Sequence, residues 1–577
     1  MLISVHLFKF LVVLNFLFLS NLLLGQTPIL KQGYPKVIDS LRSTWFRASK
    51  PLIADINGDN LKEIICVSYD VGRITPNDFC RLMVLDNNGN NIQNFPISFS
   101  DTVIRIASGD VDGDGFLDIA IRFNNKVTVI NRFGTDLPGF PIYFFDNDIS
   151  TGRYVSLYDL DNSGKLNLIL NLPGKLIVLN FDGTIKQGWP LNFAGISDYM
   201  PAIGDINADK YGEIILLTYK NSGDSSYINV LNRNGNTFSS VWPKKLDSNY
   251  IFGDVSPTLY TNKNNSNNNF FIVPSNRRIN EVDLLNRIRK YDIFGNIVNQ
   301  IYLNSSIYNY ATFSIGDVDF NGQVDFVSGL PGRADISLFD FNLNLQPNWP
   351  QTGSIGNINQ ALIGKLTVQN YKNLICTDRA AVIPPTGFGT VFSYDLSATN
   401  LSWSPLRPLG IVNDIALADI NNDLIPEIIT TSSNRDTVMH LYIWEVPGVV
   451  FSNDNFPWPM FGHDRYLTNQ HGFIPPDEPV NISSYSANVP ENINLEQNFP
   501  NPFNPVTKIK FSVNKKDKYK LSIYNILGEK IETLLDDILN VGFYEVTFNG
   551  NDLSSGIYIY KLESLNFNQS KKMMLLK

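Results

Sequence analysis

The chain has 577 residues, 18% of them charged and 43% apolar, with a formal net charge of −9. That length exceeds one ordinary core, and the composition is that of a globular chain, not a disordered one. The acidic balance argues against nucleic acid as a partner, and three Cys and four His leave little material for a zinc centre.

Residues 1–25 read as a secretory signal. Lys9 and His6 are the only basic or potentially basic side chains there, and an apolar run from Phe10 to Leu24 ends at Gly25. The run is near the upper length of a signal core and short for a membrane span. Cleavage would leave no transmembrane anchor; the alternative is an uncleaved anchor. Export implies an oxidising compartment. Cys66 and Cys80 could pair across neighbouring strands there, but the favoured reading is three buried, small apolar side chains, Cys376 included.

From 26 to 471 three signatures alternate. The first is a short acidic loop, best formed at Asp110, Asp112, Asp114 and Asp118, which stand at loop positions 1, 3, 5 and 9. Carboxylates this close repel unless a cation lies among them, and hard oxygen donors on a tight turn suit Ca²⁺. The backbone carbonyl of Phe116, at position 7, would complete the set. The spacing recurs at Asp55, Asn57, Asp59, Leu61 and Glu63, and at Asp205, Asn207, Asp209, Tyr211 and Glu213. It returns at Asp317, Asp319, Asn321, Gln323 and Asp325, and at Asp419, Asn421, Asp423, Ile425 and Glu427. About five structural Ca²⁺ sites are expected, within the chemistry of oxygen-ligand loops. A sixth loop, Asp159-Asp161-Ser163-Asn167, keeps the shape with less charge. Position 12 of the Asp110 loop is Ile121, so it is not an EF-hand, which needs Glu there.

The second signature is an apolar strand ending in Asx with Gly three residues on: Asp86 to Gly89, Asn131 to Gly134, Asn180 to Gly183, Asn232 to Gly235 and Asp292 to Gly295. Asx and Gly supply the backbone a hairpin turn requires. The third is an aromatic residue followed by Pro, from Tyr34-Pro35 through Phe95-Pro96, Phe140-Pro141, Trp189-Pro190, Trp242-Pro243 and Trp349-Pro350 to Phe456-Pro457. Proline, with no ladder donor, belongs at a strand start or sheet edge. Two loop-less copies, after Tyr260 and after Gly364, fill double-length gaps in the series. The unit of roughly fifty residues lies in the propeller range. The expected fold is all-β: a seven- or eight-bladed β-propeller, eight favoured, followed by a small β-sandwich. Tyr34-Pro35 and Leu441–Trp444 could supply strands to one shared blade.

On these loops the segment resembles the FG-GAP/VCBS repeat family, the calcium-loop blades of integrin-α-like propellers. The resemblance implies that the loop joins two strands of one blade and that its ion is structural. Position 6 is Gly only at Gly115 and Gly322; it is Asn60, Lys210 and Leu424 elsewhere. Leu fits a positive φ poorly, which makes the Asp419 loop the weakest expected site.

Residues 472–492, with Pro475-Pro476 and a Ser/Asn-rich run, read as a linker. From 493 to 577, strand-like alternation punctuated by Gly528, Gly542 and Gly556 suggests the β-sandwich. Pro500–Pro505, Tyr524–Glu529, Leu553–Tyr558 and Lys571–Lys577 make it similar to the type A C-terminal sorting domain of the type IX secretion system. That resemblance implies the type IX machinery as partner, and a product secreted or held on the outer surface of a Gram-negative bacterium.

Two functions fit. One is a calcium-stabilised binding or adhesion module with a glycan or protein ligand. The other is a polysaccharide-degrading enzyme of the lyase-like propeller kind, which needs a basic residue and a carboxylate in one funnel. His463, in Trp458–Arg465, invites a catalytic reading, but the segment reads better as a closing stretch packed on the propeller. Scarce His favours binding, and no enzymatic activity is expected.

Overall fold

The computed structural model describes residues 27–576 except 41–45, 71–79, 102, 145–153, 173, 194–199, 220–225, 248–249, 252–255, 263–265, 280–282, 305–311, 331–334, 353–359, 379–388, 434–437, 472, 474, 476–482, 485–492, 505, 516, 540–541, 551–552 and 565–566. The expected signal at 1–25 lies outside the described residues. The chain divides into two compact units, 1–477 and 478–577.

Eight small sheets, antiparallel apart from one added parallel strand in the fifth, follow one another through the first unit. Sheet two is representative: Val103–Gly109, Asp118–Phe123, Lys126–Ile130 and Ile142–Tyr143 run from its innermost to its outermost strand. The innermost strands of the others are Leu52–Ala54, Val155–Tyr158, Ala202–Gly204, Thr258–Tyr260, Phe313–Gly316, Leu362–Gly364 and Ile411–Ala418. Inner and second strands are buried on both faces, as Leu52–Ala54 and Asp118–Phe123 show. Each face packs on a neighbouring sheet, which is why these strands read as continuous apolar runs. The degenerate copies form sheets five and seven, around Phe270–Ile279 and Asn373–Asp378.

Sheet eight closes the circle. Its outer strand is N-terminal: Ile29 pairs with Glu445 and Lys36 with Leu441. Its inner strand lies against Leu52–Ala54 of sheet one, and the Lys62 N–H donates to the Ile420 carbonyl at 3.0 Å.

The aromatic-Pro pairs stand where expected, each just before an outermost strand, and the peptides at Pro35, Pro96, Pro141, Pro190, Pro243 and Pro350 are cis. Ser404-Pro405 is the member that lacks the aromatic. Phe456-Pro457, expected to close the series, instead begins a segment running through the middle of the ring.

That segment satisfies the inner edges of most sheets. The Ile363 N–H donates to the Trp458 carbonyl (3.2 Å) and Leu417 to Pro459 (2.8 Å). Ser108 donates to Arg465, Leu157 to Tyr466 and Ile203 to Thr468, each at 2.9 Å, and Leu259 to Asn469 at 3.1 Å. Gln470–His471 then pairs in parallel with Leu259–Tyr260. Successive residues thus serve successive sheets, and open strand edges are a liability to any β-protein.

Cys66 faces Met83 and Cys80 faces Tyr69, so the register forbids a bridge between them. All three Cys are buried and none forms a disulfide among the described residues, and burial pushes the Cys80 thiol up to about 12.

The second unit is a sandwich of two four-stranded sheets around Leu495, Phe511, Leu521, Val546, Phe548, Tyr560 and Leu575. Ser483–Ser484, inside the stretch expected to be linker, pairs with Tyr544–Glu545; backbone pairing has claimed residues whose composition reads as loop.

Turns of adjacent sheets touch backbone to backbone. A Cβ on Gly139, at φ +91°, would lie 1.9 Å from the Asp182 carbonyl oxygen. Gly139→Ala is expected to cost about 2 kcal/mol or more, from positive φ plus the clash, measured by urea denaturation; an unchanged midpoint would contradict the contact.

Candidate metal loops

Each acidic loop joins the innermost strand of its sheet to the second strand, as in Gly109 to Asp118. Its backbone is wound around the side chains that would ligate a cation. At Asp110, Oδ1 accepts the N–H groups of Gly113 (2.8 Å) and Asp114 (3.0 Å), and Oδ2 that of Gly115 (2.9 Å). Asp112 accepts from the Asp114 N–H (3.1 Å), and Asp114 from the Phe116 N–H (2.8 Å). The other four intact loops repeat the pattern. Position 1 accepts from position 6: Asn60 to Asp55 (2.8 Å), Lys210 to Asp205 (2.8 Å), Gly322 to Asp317 (3.0 Å) and Leu424 to Asp419 (3.0 Å). Position 5 accepts from position 7: Leu61 to Asp59, Tyr211 to Asp209, Gln323 to Asn321 and Ile425 to Asp423, at 2.7–2.9 Å. The side chains of Phe116 and Tyr211 lie under Arg132 and Arg233, each 3.4 Å from the ring centroid.

Leu424 takes φ 65° like its counterparts, so the expected weakness of the Asp419 loop is not seen in its backbone. The Leu424 carbonyl is held by the Phe451 N–H at 2.9 Å, which helps offset the cost. Position 4 also has positive φ, at Gly58, Gly113, Ala208, Phe320 and Asn422.

Position 9 carries a second role that carboxylate spacing alone did not reveal. Its side chain accepts the N–H of position 2: Glu63 from Ile56 (2.8 Å), Asp118 from Val111 (3.0 Å), Glu213 from Ile206 (3.0 Å), Asp325 from Val318 (2.8 Å) and Glu427 from Ile420 (3.0 Å). Asn167 does the same for Leu160, Asn373 for Leu366 and Asn269 for Asn262. All eight sheets therefore have this latch, including the two whose loops lost their acids. The sequence signal was an Asp, Asn or Glu one residue or less from the start of each second strand.

Neighbouring loops also interlock. The position-8 N–H donates to the position-2 carbonyl of the preceding sheet: Lys62 to Ile420, Leu166 to Val111, Gly212 to Leu160 and Lys372 to Val318, at 2.7–3.2 Å.

The loops differ in how much negative charge they gather. In two, three carboxylates converge: ligand oxygens of Asp110, Asp112 and Asp118 lie within 4.8 Å of one another, as do those of Asp317, Asp319 and Asp325. Where position 3 is Asn, its amide nitrogen donates to the position-5 carboxylate, at 3.1 Å from Asn57 and 2.9 Å from Asn207 and Asn421. In the Asp419 loop, Oε1 of Glu427 is buried without a hydrogen-bond partner, as expected of an oxygen that awaits a cation. The all-oxygen donor set fits a hard divalent ion. In the sixth loop Asp161 instead turns to the Lys186 ammonium, with Arg233 at 3.9 Å, so an internal cation neutralises it.

Burial, reinforced by the neighbouring carboxylates, pushes Asp118, Glu213 and Glu427 up to about 8 and Glu63 and Asp325 up to about 7. Between the ordinary carboxylate range and these values the folded chain holds more protons than the unfolded one, so its stability falls as pH rises. In chelator, the melting temperature is expected to drop from pH 6 to pH 9; a flat or rising profile would contradict the burial. The latch separates from ligation by substitution. In chelator, Asp118→Asn should keep stability, as Asn167 and Asn373 keep their latches. Asp118→Ala should lose about 1–3 kcal/mol by orphaning the Val111 N–H. Equal denaturation midpoints for the two would count against the latch.

One stretch in each unit matches a known family. Residues 55–121 match the FG-GAP-like repeat, and residues 497–576 match the secretion system C-terminal sorting domain. No curated protein matches. Among solved structures, Sqt1 from Chaetomium thermophilum aligns at 12% identity and TM-score 0.41, over 71% of this chain and 99% of that one. The V. cholerae biofilm matrix protein Bap1 aligns at 11% and 0.37, over 74% and 94%. BBS1N, crystallised with ARL6DN, aligns at 10% and 0.39, over 73% and 98%. The sorting domain implies interaction with the type IX secretion machinery and a secreted or cell-surface location. The chain is thus an all-β protein that carries an FG-GAP-like repeat at 55–121 and a secretion system C-terminal sorting domain at 497–576.

Proposed function

We propose that this protein is an extracellular binding module: an eight-bladed, calcium-stabilised propeller that presents its surface to a glycan or protein and does no chemistry of its own. The observation that carries the reading is the repetition of one loop, wound identically by its own backbone, on five separate sheets. A reaction needs one asymmetric site, whereas equivalent sites spread around a ring serve its shape. Oxygens at positions 1, 3, 5 and 9, with the position-7 carbonyl, would hold each ion.

The candidate catalytic histidine fits this reading. His463 is buried, its Nδ1 lies 3.0 Å from Asp464 Oδ2, and its ring meets Trp458 edge-on at 4.9 Å. Asp464 also accepts the Tyr466 N–H at 2.9 Å and the Thr468 hydroxyl. These contacts hold the turn of the closing segment.

Extracellular calcium modules bind at about 10⁻⁴–10⁻³ M. Calcium is therefore expected to raise the melting temperature of the chelated protein over that range. The pair Asp110→Asn and Asp317→Asn should remove a large part of the rise, because these loops gather the most charge. A melt indifferent to calcium would overturn the metal role, and product release from an acidic polysaccharide would overturn the binding role.

A further inference from the structure

We propose that the cleft between sheets five and six binds a small ligand bearing a carboxylate, with Lys290 as its anchor; this rests on the reading of the propeller as a binding module. A cavity of about 480 Å³ opens there, lined among others by Tyr260, Asn268, Phe270, Lys290, Gln323 and Phe341. It lies where sheet five has lost its acidic loop: no carboxylate stands between Tyr260 and Phe270.

Lys290 is 2% exposed. Its ammonium donates to the Phe341 carbonyl at 3.0 Å and lies 3.2 Å and 4.1 Å from the ring centroids of Phe341 and Phe270. Among the described residues no carboxylate forms an ion pair with it. Asp292, also on the cavity wall, has both oxygens engaged by Asn296 in its own turn, at 2.7 and 2.8 Å. An ammonium has three donors, and one taken from water without a counter-ion is costly. Burial accordingly pulls Lys290 down to about 8.

The Asp340 carboxylate acts on Lys290 only from a distance, against the effect of burial; a carboxylate entering the cavity adds a charge in direct contact and accepts the spare donors. The exposed amides of Asn268 and Gln323 stand at the mouth, ready for hydroxyl or carbonyl groups of the same ligand. The wall is packed, with Tyr260 stacked on Phe270 at 4.7 Å and on His471 at 5.3 Å. A preorganised wall loses little entropy on binding.

The test is calorimetric titration of the purified full chain in calcium buffer with digalacturonate, with neutral digalactose and with citrate. An acid is expected to bind at least tenfold more tightly than digalactose. Preference for digalacturonate assigns a sugar acid, and preference for citrate a simple carboxylate. Lys290→Met should weaken the acid at least tenfold with an unchanged or higher melting temperature. Asn268→Trp, at the exposed mouth, should block binding without touching the core. Acid binding that survives both variants, or failure of either acid to bind, would overturn the proposal. A glycan that binds the wild type and both variants alike would remove the cleft and leave the binding-module reading standing.

Discussion

Every sheet of the ring depends on one short hydrogen bond, from the backbone N–H just past the innermost strand to the side chain that opens the second strand. It fixes the span between two antiparallel strands and closes a buried turn whose amide would otherwise lack a partner. Asp, Glu and Asn all make it, as Asp118, Glu63 and Asn373 show. A carboxylate brings charge as well, and that charge would suit the turn to a cation where further oxygens stand at positions 1, 3 and 5. The proposed metal binding would therefore be an elaboration of a turn that amides can close without it. Sheets five and seven retain the turn and omit the elaboration.

The loops do not act singly. Those of sheets one, three, four and seven donate a backbone N–H to the loop before them, and the segment from Trp458 to His471 supplies acceptors to the inner strands it passes. Sheets that share only side-chain packing would slide on one another. Backbone bonds between loops and along the inner edge fix their relative position. The centre of the ring is in this way built from a separate stretch of chain, with buried Arg465, Tyr466 and Thr468, and not left as an open channel edge.

The strand order, the acidic loops and the shared last sheet were legible in the sequence because each rests on local chemistry. Asp at fixed spacing, Asx three residues before Gly, and Pro at an edge each determine a few backbone angles. Leu441–Trp444 could be matched to the N-terminus because an incomplete sheet needs an outer strand. What was hidden depends on contacts between distant residues. Lys186 reads as an ordinary surface lysine until Asp161 meets it. Leu424 reads as a misfit at positive φ until Phe451 holds its carbonyl. Asn269 and Asn373 read as loop filler because the eye follows charge, while the latch needs only an oxygen. Ser483–Ser484 reads as linker because two residues carry no periodicity.

The seam at sheet eight has a temporal meaning. Ile29 and Lys36 find their partners only at Glu445 and Leu441, more than four hundred positions downstream. Such remote pairing slows folding, because a long span of chain must be gathered before the contact rewards it. A molecule emerging amino end first must keep its leading strand unclaimed until the last sheet arrives. Closure of the ring thus needs the last sheet, and a product truncated anywhere short of that sheet lacks the partners of Ile29 and Lys36.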